Sequence, residues 1–137
     1  MPRKLAPFVV GIFFTIVGIT HFTSPDFFVS IVPPYLPAPL ALVYVSGFFE
    51  ILGGLGVLLP ATRTLAGYGL LALLVAVYPA NIHMAMNPGD FPDIPPVALY
   101  ARLPIQFVFA WIVWWATRPP RRADDEGATA RLRRLAG

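Results

Sequence analysis

A single carboxylate, Glu50, interrupts an otherwise uncharged apolar run from Pro39 to Leu59. If this run is a membrane helix, Glu50 lies roughly 16 Å from either end, near the middle of a hydrocarbon layer about 30 Å thick. A carboxyl group at that depth is costly to bury and usually functional, and it can exchange protons with a ligand. We therefore predict that Glu50 is the catalytic residue. Its helical face also carries small residues that allow close helix packing, namely Ser46, Gly47, Gly53 and Gly54.

Other polar side chains of the apolar runs lie between the depth of Glu50 and the outer side of the membrane. Arg102 and Gln106 lie about 9 Å and about 15 Å from the start of the last run, the latter close to the depth of Glu50. An ionised Glu50 needs a cation, and Arg102 is the only one within the runs, so we expect Glu50 to pair with Arg102, or with the neutral amide of Gln106 as an inter-helix link. If no partner reaches it, Glu50 is neutral, and either state serves a proton-coupled site. We predict a polar cavity open to the outer side of the membrane, with Glu50 at its floor. Its predicted ligand-binding residues are Arg102, Gln106, His21, His83, Asn81, Tyr44 and Tyr78.

Structural roles are the alternative for each of these residues. A link between Glu50 and Arg102 or Gln106 serves equally well to hold two helices together. Arg102 could instead extend to the outer interface. The two histidines, His21 and His83, fall near headgroup depth, where an interfacial hydrogen bond is the commoner fate.

The ligand chemistry that suits such a cavity is that of a quinone. An apolar cleft with a few hydrogen-bonding groups fits the ring, and a carboxylate can exchange its protons. The two histidines at matching depth could also ligate a haem iron, an alternative that we favour less. No protein metal site is predicted, and the chain has no cysteine, so redox work requires a cofactor or a partner.

The elements that must position these residues are membrane helices. The chain has 137 residues, of which 57% are hydrophobic and 12% charged, a balance that predicts an all-α integral membrane protein. We predict a four-helix up-down bundle in residues 1–117, with spans at about 5–22, 39–59, 65–84 and 96–117. A short interfacial helix beginning after Ser24, which serves as its cap, joins spans one and two. Residues 118–137 form a basic cytoplasmic tail, expected to be frayed, although its A-T-A-R-L-R-R-L-A segment could form one or two basic helical turns on anionic lipid.

Charge placement predicts the orientation. Basic residues flank the first and last runs and occupy the second connection, whereas the first and third connections carry only acids, namely Asp26, Asp90 and Asp93. Under the positive-inside rule both termini are cytoplasmic. The first run exceeds a signal-peptide core and lacks a small-residue cleavage site, so we expect a retained helix. Pro79 is expected to kink span three and to free the carbonyl of Val75. The turn-forming residues of 87–95 predict an irregular connection.

Several motifs resemble the DoxX family of small four-span bacterial membrane proteins. They are Gly18-x-x-His21-Phe22, Pro33-Pro34, Ser46-Gly47-x-x-Glu50-x-x-Gly53-Gly54-x-Gly56, Arg63 and Pro79-Ala80-Asn81-Ile82-His83-Met84. The resemblance covers about Val9 to Thr117. It implies a four-helix membrane bundle in the bacterial inner membrane and redox work, since relatives include a membrane subunit of thiosulfate:quinone oxidoreductase. Other relatives are assembly factors and cargo receptors, so the fold alone does not fix function.

Two functions follow as hypotheses. The first is a membrane subunit of a quinone-linked oxidoreductase complex, with a membrane or peripheral redox partner protein. The second is a non-enzymatic adaptor or assembly factor that binds a partner protein or a lipid-like ligand, with Glu50 only holding the bundle together. Solute transport ranks last, because the chain shows no inverted repeat. The bilayer and a further copy of the chain are expected partners, and nucleic acid is not, since the basic residues follow the membrane pattern.

Overall fold

The computed structural model describes residues 3–119 and 123–136, and within them the regular secondary structure is helical. The elements are α1 (Ala6–Thr23), α2 (Pro25–Ile31), α3 (Pro39–Leu58), α4 (Arg63–Met86), a 3-10 turn (Pro88–Asp90), α5 (Pro96–Thr117) and α6 (Ala123–Leu135). Among these residues four helices, α1, α3, α4 and α5, are long and apolar enough to cross a membrane. The prediction of an all-helical chain with four such helices is confirmed.

Helices α1 and α3 pack antiparallel through two pairs of glycines. A Cβ on Gly11 would lie 2.7 Å from the carbonyl oxygen of Gly54, and a Cβ on Gly54 would lie 2.7 Å from that of Gly11. Seven residues along each helix, Gly18 and Gly47 repeat the arrangement, with distances of 2.8 and 3.0 Å. Only glycine permits this approach of two backbones, as in other close-packed membrane helices.

Helices α4 and α5 form the second antiparallel pair. Near the start of α4, the hydroxyl of Thr64 donates to the carbonyl of Thr117 at the end of α5, over 3.0 Å. A Cβ on Gly67 would collide with the side chain of Thr117. Small residues again allow the contact.

Two apolar clusters lie at opposite ends of the bundle. One joins α1, α3, α4 and α5 through Ala6, Val10, Phe14, Val57, Leu70, Val113 and Ala116. The other joins α2, α4 and α5 and includes the residue that follows the 3-10 turn; its members are Ile31, Met84, Phe91 and Leu99. The helix surfaces outside these clusters are apolar, with Ile16 57%, Phe107 66% and Val75 74% exposed. Such surfaces are compatible with a multi-pass membrane protein.

Three local features differ from expectation. Ser24 occupies the position before α2, but its side chain makes no capping hydrogen bond. The connection in residues 87–95 contains a 3-10 turn rather than only irregular backbone. The tail forms helix α6, since its alanines, leucines and arginines are good helix formers. Arg133 and Arg134 lie in the last turn, where positive charge interacts favourably with the helix dipole.

Candidate ligand-binding site

The side chains of His21 and Glu50 meet between α1 and α3. The Nδ1 atom of His21 lies 3.3 Å from Oε2 of Glu50, and the two side chains are only 9% and 12% exposed. We had expected Glu50 to pair with Arg102 or Gln106, and that expectation was wrong. The reason is the glycine-lined contact of α1 with α3, which brings the end of α1 within reach of the carboxylate.

The polar contacts of His21 with protein atoms are made by one ring nitrogen, Nδ1, and the residue lines the cavity described below. Nδ1 also lies 3.0 Å from the carbonyl oxygen of Val17, one helical turn earlier. Because a carbonyl only accepts, this geometry favours a proton on Nδ1, shared between Val17 and Glu50. Nε2 has no hydrogen-bond partner among the described residues. It can therefore accept a proton from a ligand or, in the other tautomer, donate one.

Packing fixes the orientation of the imidazole. The ring of Phe28 from α2 stacks on it, with centroids 3.8 Å apart and planes 20° apart. On the other helix, a Cβ on Gly47 would lie 2.5 Å from Cβ of His21. The histidine is thus held between an aromatic ring and a bare backbone.

A cavity of about 470 Å³ adjoins this pair and lies between the two apolar clusters. This volume is typical of small-molecule sites. Its lining is mainly apolar and comes from α1 to α5 and the connector after α2. The polar residues that line it are His21, Ser46, Glu50, Asn81 and Arg102. A cavity therefore lies beside Glu50, with Pro79 in its lining but not Pro104, and this lining is mainly apolar, whereas the sequence predicts a polar cavity.

Arg102 lines the cavity on the α5 side. In the part of the chain that the structure describes, its guanidinium forms neither an ion pair nor a hydrogen bond. Its side chain is partly exposed, so it is a donor that a bound ligand can use.

Gln106 lies outside the cavity lining and links α5 to α4 through Asn81, which does line the cavity. The Asn81 side-chain amide donates to Oε1 of Gln106, and Nε2 of Gln106 donates to the carbonyl of Leu74. The sequence predicts a free carbonyl at Val75, but Gln106 donates to the carbonyl of Leu74, one residue earlier. A proline ring distorts the whole turn before it, so neighbouring carbonyls are also affected.

Three predicted ligand-binding residues lie away from the cavity lining. The side-chain amide of Asn87 donates to Nδ1 of His83 over 3.1 Å, and the imidazole of His83 lies edge-on to Phe91. Tyr44 stacks on Phe22, and Tyr78 packs edge-on against Phe107. Their predicted role in binding therefore has no geometric support. No group of three metal-ligating side chains forms within residues 3–119 and 123–136.

The role of Phe28 and the pairing of His21 with Glu50 were not foreseen. A signal was present, because both polar residues stand three positions after a glycine of the α1–α3 contact, in Gly18-x-x-His21 and Gly47-x-x-Glu50. This spacing is informative only if α1 and α3 are known to pack together, and the sequence does not indicate that pairing.

Comparison with known proteins gave one result. A family model described as Domain of unknown function (DUF8561) matches residues 10–118, a range that begins within α1 and includes all of α3, α4 and α5. No curated protein and no solved structure matches the chain.

Proposed function

Because the chain belongs to the DUF8561 family, whose description assigns no function, we propose a function from the site itself. The protein binds a membrane quinone, as the membrane subunit of a quinone-linked oxidoreductase complex. The observation that carries this proposal is the buried contact of His21 with Glu50 in the wall of an otherwise apolar cavity. The resemblance to the DoxX family supports the same conclusion.

Two polar points in the cavity suit the two oxygens of a quinone ring. Nε2 of neutral His21 accepts from a quinol hydroxyl, and in the imidazolium form it donates to a quinone oxygen, while Arg102 donates to the other oxygen. The apolar lining between them, including Phe28 and Val77, covers the ring faces. Glu50 takes up or returns a proton through His21.

The reaction needs a partner that carries electrons. A quinone becomes a quinol by gaining two electrons and two protons. The chain has no cysteine, so no thiol of its own can supply the electrons. We propose that a redox partner protein supplies the electrons and that water supplies both protons, of which the one for the oxygen beside His21 passes through Glu50 and His21.

The orientation belongs to the same proposal. Both termini face the cytoplasm of a bacterial cell, and the cavity lies nearer the outer side of the inner membrane. The guanidinium of Arg118 stacks over Trp114 at 4.6 Å, and Trp111 stacks on Trp115. Such an aromatic belt next to a basic residue supports a cytoplasmic interface at the end of α5.

The test is quinone binding by purified protein in lipid nanodiscs. We expect a tailed benzoquinone to bind, and Glu50→Gln to weaken binding at least tenfold, about 1.4 kcal/mol. Asp26→Asn is the control, because Asp26 is an exposed acid outside the cavity lining. Equal binding by wild type and Glu50→Gln would remove Glu50 from the site. An absorption spectrum of the same sample tests for haem.

The second candidate is a non-enzymatic adaptor or assembly factor. It is favoured by the position of the His21 and Glu50 contact, which links α1 to α3 and needs no ligand to explain it. This function predicts that Glu50→Gln lowers thermal stability or partner recovery and leaves quinone binding unchanged. The same two measurements therefore separate the two functions.

A further inference from the structure

In the cavity lining, the exposed residues are apolar and the polar residues lie deeper. The lining residues that are exposed at the protein surface are all apolar, namely Leu36, Leu42, Val45, Phe49 and Ala76. The polar lining residues are all buried or partly buried. A pocket that opens to water usually has polar groups at its rim, because exposed polar atoms can keep their water. Here the rim is the apolar part.

Apart from Leu36 of the connector, the exposed lining residues lie on α3 and α4. Leu42, Val45 and Phe49 are 40%, 53% and 52% exposed and follow helical spacing along α3. Ala76 of α4 is exposed across from them and has a short side chain. Counted from Pro39, the three α3 residues lie about 4 to 15 Å along the helix, within the depth of a hydrocarbon layer.

The end of the bundle near this cavity is covered by α2 and the connector that follows it. Ile31 of α2 packs with Met84 and Leu99 in the second apolar cluster. Phe28 of α2 covers the imidazole of His21. Passage from that end would require displacement of these contacts, whereas passage between α3 and α4 crosses only apolar rim side chains.

We infer that the ligand enters from the lipid phase between α3 and α4, and that it is an amphiphile with a long hydrocarbon tail. Its polar ring occupies the cavity beside His21 and Arg102, and its tail leaves past Val45, Phe49 and Ala76 into the bilayer. This inference rests on the proposed function and restricts its substrate to tailed quinones.

The experiment compares two quinones of the same ring in nanodiscs, one with a decyl tail and one with only a methyl group. Affinities are expressed as mole fraction in the bilayer, which removes the effect of partitioning. We expect the tailed quinone to bind at least tenfold more tightly. Ala76→Trp should weaken its binding at least tenfold, because the indole fills the opening. Val75→Trp is the matched control, since Val75 is 74% exposed and outside the cavity lining.

The outcomes separate the two proposals. If both quinones bind equally, or if Ala76→Trp binds the tailed quinone like wild type, the lateral route is overturned while quinone binding stands. If neither quinone binds, the proposed function and this inference fail together. Should Ala76→Trp fail to fold, as judged by circular dichroism, Val45→Trp narrows the same opening from α3.

Discussion

Gln106 of α5 donates a hydrogen bond to the carbonyl of Leu74 on α4, five residues before the helix-internal Pro79. Its own side-chain oxygen accepts from Asn81, two residues after that proline. One amide thus bonds to α4 on both sides of Pro79. In a lipid environment an unpaired carbonyl costs free energy, so this link stabilises the α4–α5 pair.

Removal of that amide should destabilise the protein. We expect Gln106→Ala to lower the free energy of unfolding by about 1 to 2 kcal/mol, because a carbonyl and an amide lose their partner. Reversible unfolding in mixed micelles measures it. Asn81→Ala shares one of the bonds, so the double variant should lose less than the sum of the single losses. Full additivity would show that the two side chains act independently.

Glycine positions in the helix contacts should differ sharply in tolerance. A Cβ on Gly47 meets Cβ of His21 at 2.5 Å, whereas a Cβ on Gly69 meets nothing within 4 Å. We expect Gly47→Ala to cost about 1 to 3 kcal/mol by forcing α1 away from α3. Gly69→Ala should be neutral or should stabilise by up to about 1 kcal/mol, since alanine is the better helix former. Thermal unfolding in detergent distinguishes them, and equal effects would contradict the close packing.

Two arginines should separate binding from stability. Arg102 lines the cavity and makes no hydrogen bond with the described residues, so Arg102→Gln should weaken quinone binding about tenfold with little change in melting temperature. Arg63 is its counterpart, since its Nε donates to the carbonyl of Val57 over 2.9 Å. Arg63→Gln should lower the melting temperature and leave binding unchanged. A reversal of this pattern would place the ligand elsewhere.

The proposed orientation is tested with reporter fusions. A fusion after Asp90, in the 3-10 turn, should report the outer side, and a fusion at Gly137 should report the cytoplasm. The expectation follows from the acids in the connection between α4 and α5 and the arginines after α5. If both fusions report the same side, α5 does not cross the membrane once between them, and the proposed orientation is wrong.

Helix positions were predictable, and helix partners were not. Prolines and apolar runs set the start of α3 and α5 at Pro39 and Pro96, as predicted. All faces of a membrane helix are apolar, however, so hydrophobic periodicity does not show which face of each helix packs against its neighbours. The choice between His21 and Arg102 as the partner of Glu50 depends on that direction. The bond from Gln106 to Leu74 likewise depends on how a proline distorts its helix, which composition does not specify.

The paired glycines of α1 and α3 have a mechanical consequence. Each of Gly11, Gly18, Gly47 and Gly54 abuts the opposite backbone, so neither helix can slide or rotate without collision. Bonds across α4 and α5 at Thr64 and Gln106 restrain the other pair. The two pairs are also joined at one end, where a Cβ on Gly53 of α3 would lie 2.5 Å from the side chain of Leu70 on α4. Filling or emptying the cavity should therefore leave the spacing of α1 and α3 unchanged, and a cross-link between those two helices should leave ligand binding intact.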